Sequence, residues 1–162
     1  MFDNFFLFLT LLGNYAFIWI SLAVTVAIRQ KKRAESIILT TVSAIVFSFL
    51  AMTALKLLFR QPRPTSNFEF QISNFCPTDF SFPSGHASTS FAAAFVLAHF
   101  DPKRKWLYFV LAGLISYSRL YLGCHHLVDV VCGAILGGIV SAMVLKSTPK
   151  QSKSVAKAKR SR

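Results

Sequence analysis

Acidic residues are scarce in this chain: six Asp and Glu stand against 18 Lys and Arg in 162 residues, a net charge of +12. No internal repeat is apparent, which leaves out solenoids and propellers. The opening segment lacks a positively charged leader and a small-residue cleavage site, so it is read as a retained span and not as a cleaved signal peptide. Polar residues are few as well. Hydrophobic residues make up 54% of the chain, 17 of them Phe, and mean hydropathy is +0.51. That lies above the globular range and excludes an ordinary soluble domain.

The positive charge alone would suit nucleic acid. The cations, however, sit in short clusters between apolar runs and not along one amphipathic face, which points to a membrane protein with no nucleic-acid partner. Residues 5–28 and 36–55 are long enough to cross roughly 30 Å of hydrocarbon. Residues 84–100, 106–122 and 126–145 are shorter or more polar at one end, but each holds a mostly apolar stretch near the spanning minimum. The expectation is an all-α, polytopic helix bundle with about five transmembrane helices. One domain should cover residues 1–145. The Lys/Ser-rich segment 146–162 is expected to be a basic, disordered cytoplasmic tail, with solubilisation or contact with anionic lipid as its role.

Fourteen of the 18 basic residues fall on one side of this layout: Arg29, Lys31, Lys32, Arg33, Lys103, Arg104, Lys105 and the seven from Lys146 onward. The positive-inside rule makes that side cytoplasmic. The other four, Lys56, Arg60, Arg63 and Arg119, lie at or near the opposite face. His86, His125 and Asp129 map there too. Ionisable groups in membrane segments are expensive to bury and mark functional sites; the bland alternative is that Lys and Arg snorkel to an interface. Three cations, two histidines and one carboxylate describe an anion site. Arginine forks match phosphate oxygens, and lysine adds a point charge. Ser84 and Gly85 open a helix, whose free N–H groups and positive dipole end suit the same anion, and Pro83 helps to fix that start.

These residues resemble the three signature motifs of the type 2 phosphatidic-acid phosphatase superfamily. The motifs are KLLFRQPRP with Lys56 and Arg63, PSGH with Ser84, Gly85 and His86, and SRLYLGCHHLVD with Ser118, Arg119, His125 and Asp129. The resemblance covers residues 56–129 closely and the rest as hydropathy. Many membrane members have six helices, one more than the five counted here, which leaves the role of the first span open.

The resemblance implies that Lys56, Arg63, Ser84, Gly85, Ser118 and Arg119 bind phosphate. It also implies that His125 is the nucleophile, that His86 is the general acid and then base, and that Asp129 orients His125 from four residues away. His126 is the competing nucleophile; were this stretch helical, adjacent positions would point about 100° apart and Asp129 would be in phase with His125. No cofactor is expected. Two histidines and Asp129 are potential zinc ligands, but the three cations would repel a dication. Cys76 and Cys124 map to the outer side as candidates for a disulfide, and Cys132 reads as a small apolar residue of the last span. Gly133, Gly137 and Gly138 read as close helix packing. Arg60 reads as a loop cation, and His99 as interfacial.

The function expected from all this is hydrolysis of a lipid phosphate or diphosphate at the outer face of a cytoplasmic membrane, with undecaprenyl diphosphate first and phosphatidylglycerophosphate or lipid A next. The loop from Thr65 to Phe82, with five Phe, would form the rim of the site. An anion transporter or a structural membrane subunit are the alternatives from other classes. Oligomeric state is left open.

Overall fold

The computed structural model describes residues 2–64 and 76–148. Six α-helices carry them: α1 (Phe2–Gly13), α2 (Phe17–Arg29), α3 (Ala34–Phe59), α4 (Gly85–Phe100), α5 (Lys105–Tyr121) and α6 (Leu127–Ser147). No strand occurs among the described residues. The basic tail expected from Lys146 begins while α6 is still helical, and from residue 149 onward it lies outside the described residues. Most of the expected rim loop, residues 65–75, lies outside them too.

Three stretches are long and apolar enough to cross a membrane: Asn4–Arg29, Lys31–Phe59 and Leu127–Ser147. The helices over the other two expected spans, α4 and α5, have 16 and 17 residues, about 24 and 26 Å of rise, which is short of a full hydrocarbon crossing. Local chemistry cuts both short at the same end of the bundle. Ser84 caps α4, its hydroxyl accepting from the Ala87 N–H at 3.5 Å. α5 gives way to the turn that carries Cys124 and His125. At the start of α6, the Asp129 carboxylate accepts the His126 N–H at 2.9 Å, closing the free end of the helix.

The first stretch is kinked. Asn14–Ala16 form a 3₁₀ turn in which Tyr15 and Ala16 have φ of 52° and 57°. Neither is glycine, and each such residue costs about 1–2 kcal/mol. The kink lets α1 lie along α5 while α2 packs on α3 and α4.

Helix α4 is the centre of the bundle, packed against α3, α5 and α6. Its buried face is built from small residues, Ala87, Ser88, Ser90, Ala92, Ala93 and Ala94. α6 meets it through Gly133 and Gly137. A Cβ on Gly133 would lie 2.6 Å from the Ser84 carbonyl, and one on Gly137 would clash with the Ser88 carbonyl. Two backbones touching through glycines four apart is the small-residue packing that membrane helices use where no hydrophobic force drives them together. Polar pairs add to it: Trp19 Nε1 donates to Ser90 Oγ at 3.0 Å, and the Ser48 and Ser88 hydroxyls bond to each other. Trp19, Ile37, Val96, Leu97, Ala112 and Ile115 fill the core. Outside it, Leu57, Phe59, Leu127, Ile135 and Ile139 stay exposed, as lipid-facing residues should.

Candidate active site

All nine residues singled out in the sequence gather where α3, α5 and the starts of α4 and α6 meet. Lys56 ends α3, and Arg63 lies in the segment that follows. The Ser84 N–H donates to the Asp129 carbonyl at 3.0 Å, so the starts of α4 and α6 are tied together. Ser84, Ser118 and Asp129 are fully buried, Arg119 is 1% exposed, and Lys56, Arg63 and His125 are buried as well. Three buried cations so close together require compensation, since an isolated buried charge costs far more than it returns.

Part of that compensation is Asp79, which the sequence reading did not single out. Its carboxylate accepts from Lys56 Nζ at 2.6 Å through Oδ2 and from Arg63 Nη2 through Oδ1. Burial works against the charge of Asp79, but these two hydrogen bonds outweigh it and hold the carboxyl below its ordinary range. Arg119 is held differently. Its Nη1 donates to Thr10 Oγ1 at 3.2 Å, while Nε and Nη2 have no partner among the described residues.

His125 lies just before α6 and not within it. Its Nε2 is 3.2 Å from Arg63 Nη1, and its Nδ1 is 3.4 Å from Asp129 Oδ2. Burial pushes its pKa down to about 4; Arg63, Arg119 and Lys56 push the same way, and Asp129 opposes them. The imidazole is therefore neutral near pH 7. His126 Nδ1 also lies 3.4 Å from Asp129 Oδ2, so the four-residue spacing does not by itself choose between the two histidines. The helical phase argument does not apply here, because His126 is the residue that precedes the first turn of α6. Burial separates the two: the His125 side chain is 2% exposed and bonded to Arg63, whereas that of His126 is 43% exposed and meets Gln61 Nε2 at 3.3 Å.

The kinked first span reaches into this cluster. Asn14 Oδ1 lies 2.9 Å from His86 Nε2, and Thr10 Oγ1 lies 2.8 Å from Ser118 Oγ. Gly13 makes room between them, because a Cβ there would come within 2.8 Å of the His86 ring and 2.6 Å of Ile115. A polar Asn in an apolar run was a signal that could have marked this contact; Thr10 gave none.

Cys76 and Cys124 form a disulfide with Cα atoms 5.4 Å apart, tying the Asp79 segment to the residue before His125. Cys132 is free. Arg60 is exposed and folds back on the Leu57 carbonyl, and His99 is exposed at the far end of α4. Among the described residues, no three His, Cys, Asp or Glu side chains converge as a metal-binding group. A groove of about 990 Å³ runs between α3 and α6 at the opposite, basic end, bounded by Lys31, Arg33, Leu39, Phe47 and Met143; it touches none of the residues above.

Fold and site together define a helical membrane protein with a buried cluster of cations and histidines suited to an anion. The comparisons with known proteins agree on the helical membrane fold. The PAP2 superfamily profile matches residues 36–153. The chain is 33% identical over 135 residues to an undecaprenyl-diphosphatase of Sulfolobus acidocaldarius, covering 80% of this chain and 64% of that one. It is 31% identical to a decaprenylphosphoryl-5-phosphoribose phosphatase of Mycobacterium tuberculosis, covering 82% and 72%. The crystal structure of Aquifex aeolicus LpxE superposes with a TM-score of 0.72 at 31% identity, covering 90% of this chain and 86% of that one. The chain belongs to the PAP2 superfamily, as a multi-pass membrane member. It spans just under two thirds of the length of the Sulfolobus acidocaldarius relative.

Proposed function

We propose that the chain is a membrane phosphatase that hydrolyses a lipid phosphate or diphosphate through a phosphohistidine, with a polyprenyl diphosphate such as undecaprenyl diphosphate as the leading substrate. The observation that carries this reading is the buried His125 imidazole with its Nε2 beside Arg63, in the same cluster as Arg119 donors that have no partner among the described residues. A neutral imidazole among fixed cations is a nucleophile facing an anion site.

The reaction follows from these positions. Lys56, Arg63 and Arg119 hold the phosphoryl oxygens, with Ser84, Gly85 and Ser118 completing the cradle. The His125 Nε2 lone pair attacks phosphorus, and the bond from phosphorus to the leaving oxygen breaks. His86 supplies the proton that leaving oxygen needs. Asp129 accepts the Nδ1–H of His125 and stabilises the charge that develops on the ring. His86, now basic, takes a proton from water as the water oxygen attacks phosphorus. The P–N bond breaks and inorganic phosphate is released. Charge neutralisation comes from the three cations, which removes the need for the carboxylate-held metal of other phosphoryl-transfer sites.

Sidedness belongs to the same proposal. Were α4 and α5 to complete five crossings, the positive-inside rule would favour an outward-facing site, with 14 of 18 basic residues on the inner side. The Cys76–Cys124 disulfide suits that oxidising side.

The test is phosphate release by the purified chain in detergent from undecaprenyl diphosphate, phosphatidylglycerophosphate and lipid A. Release should persist in excess EDTA and be inhibited by vanadate, which resembles the five-coordinate phosphorus of the attack. Loss of activity in EDTA that returns with a divalent metal would refute the metal-free mechanism. No release from any of the three lipids would refute the phosphatase reading.

A further inference from the structure

Arg63 has all of its donors engaged. Nε gives its hydrogen to the Asp79 carbonyl at 2.8 Å, and Nη1 donates to the Cys124 carbonyl at 2.8 Å and approaches His125 Nε2 at 3.2 Å. Nη2 donates to the Asp79 carboxylate and, at 3.4 Å, to the Phe80 carbonyl. A guanidinium carries five N–H donors in a fixed fork, and all five here face acceptors of the protein itself. Lys56 is close to the same state, with two of its three donors on Asp79 Oδ2 and the Phe80 carbonyl, each at 2.6 Å. A phosphate that binds both side chains must therefore displace something. The carboxylate of Asp79 is the acceptor common to the two, one oxygen on each.

We propose that the Asp79 carboxylate is an internal anion that occupies the Lys56 and Arg63 part of the phosphate site until the substrate phosphate displaces it, so that Asp79 sets the affinity and selectivity for the incoming headgroup. The inference rests on the phosphatase reading above. Three features support it. A carboxylate offers two oxygens to neighbouring cations much as a phosphate does. The exchange leaves the buried cations compensated both before and after binding, which spares the large penalty of an unpaired buried charge. Mobility also differs in the required sense: the Asp79 side chain is 52% exposed and can turn into water, whereas those of Lys56 and Arg63 are 9% and 6% exposed and stay in place. Asp129 does not share this role, being fully buried and committed to His125 and His126.

Selectivity follows from charge. A terminal phosphate or diphosphate carries more than one negative charge near neutral pH and competes well with a carboxylate. The phosphodiester of a bulk phospholipid carries only one. Asp79 would thus keep the abundant phosphodiester headgroups out of a strongly cationic site.

The test measures binding directly on the full chain in detergent, by calorimetric titration with orthovanadate and with inorganic phosphate, and with glycerophosphoglycerol as a phosphodiester. Asp79→Asn and Asp79→Ser should each bind vanadate and phosphate about tenfold more tightly than the native chain, the size expected for releasing two partly exposed ion pairs. Both should also gain measurable affinity for the phosphodiester. Glu35→Gln, an exposed charge change at the basic end, should alter none of these values. Melting curves establish that each variant is folded, and Asp79→Ser carries the test if Asp79→Asn is not. Unchanged or weaker anion binding by folded variants would overturn the role of Asp79 alone. A native chain that binds neither anion and releases no phosphate from lipid would overturn the phosphatase reading beneath it.

Discussion

Asn14 of the kinked first span meets His86 of α4 at 2.9 Å, Oδ1 to Nε2, across 72 residues of sequence. The contact lies at the kink itself, Asn14 being the first residue of the 3₁₀ turn between α1 and α2. Two non-glycine residues in the left-handed region maintain it, and strain of that kind persists where the surrounding structure over-determines it. The first span thereby gains a role: it holds the imidazole proposed as the general acid.

Replacing Asn14 should therefore affect turnover more than binding. Asn14→Ala is expected to lower kcat about tenfold, the worth of one hydrogen bond to a reacting group, with a smaller change in KM and a displaced alkaline limb of the pH profile, where the general acid loses its proton. Asn14→Asp, which keeps an acceptor at the same position, should recover part of the loss. Steady-state kinetics of the three proteins across pH decide it. An unchanged kcat and profile in Asn14→Ala would reduce the contact to packing.

The two adjacent histidines should behave unequally. His125→Ala is expected to lose at least a thousandfold in kcat while remaining folded, and His126→Ala less than tenfold, because only His125 is buried against Arg63. Rapid quenching with ³²P-labelled substrate, followed by peptide mapping, should place the acid-labile phosphate on His125. Label on His126 would reverse the assignment.

Titration of His125 should be displaced to low pH. Its ordinary value is 6.5, and burial carries it down to about 4, so the neutral imidazole persists as pH falls through 6 and is lost only on approaching 4. The unfolded chain binds that proton already near 6.5, so the stability contributed by keeping His125 neutral is present above 6.5 and is lost as pH falls from there toward 4. Nitrogen NMR of labelled histidine, with the signal assigned by its absence in His125→Gln, should show a midpoint nearer 4 than 6.5. A midpoint near 6.5 would mean that water reaches the ring freely.

Sidedness can be read from thiol labelling. On a Cys132→Ser background with the disulfide intact, a cysteine at Thr78 should react with a membrane-impermeant maleimide in intact cells, and one at Lys103 only after permeabilisation. The reverse pattern would place the site inside. Reaction of both in intact cells would contradict five crossings.

Much of this molecule is determined locally and is legible in the sequence. An apolar run of twenty residues has to satisfy its backbone internally, which dictates helices, and clustered cations choose a side. Ionisable residues do not collect at one end of several apolar segments without a use, so Lys56, Arg63, His86, Arg119, His125 and Asp129 stand out before any coordinates. What those residues touch is a different matter, set by contacts between segments far apart in the chain. Asp79 looks like an ordinary loop acid until α3 and the disulfide bring it onto Lys56 and Arg63. Asn14 and Thr10 matter only because a kink turns α1 along α5. His125 and His126 stand equally far, 3.4 Å, from their shared carboxylate, and the packing around Arg63 buries one while leaving the other in the open. Short-range periodicity carries no record of that choice, because burial is a property of the assembled bundle and not of either residue.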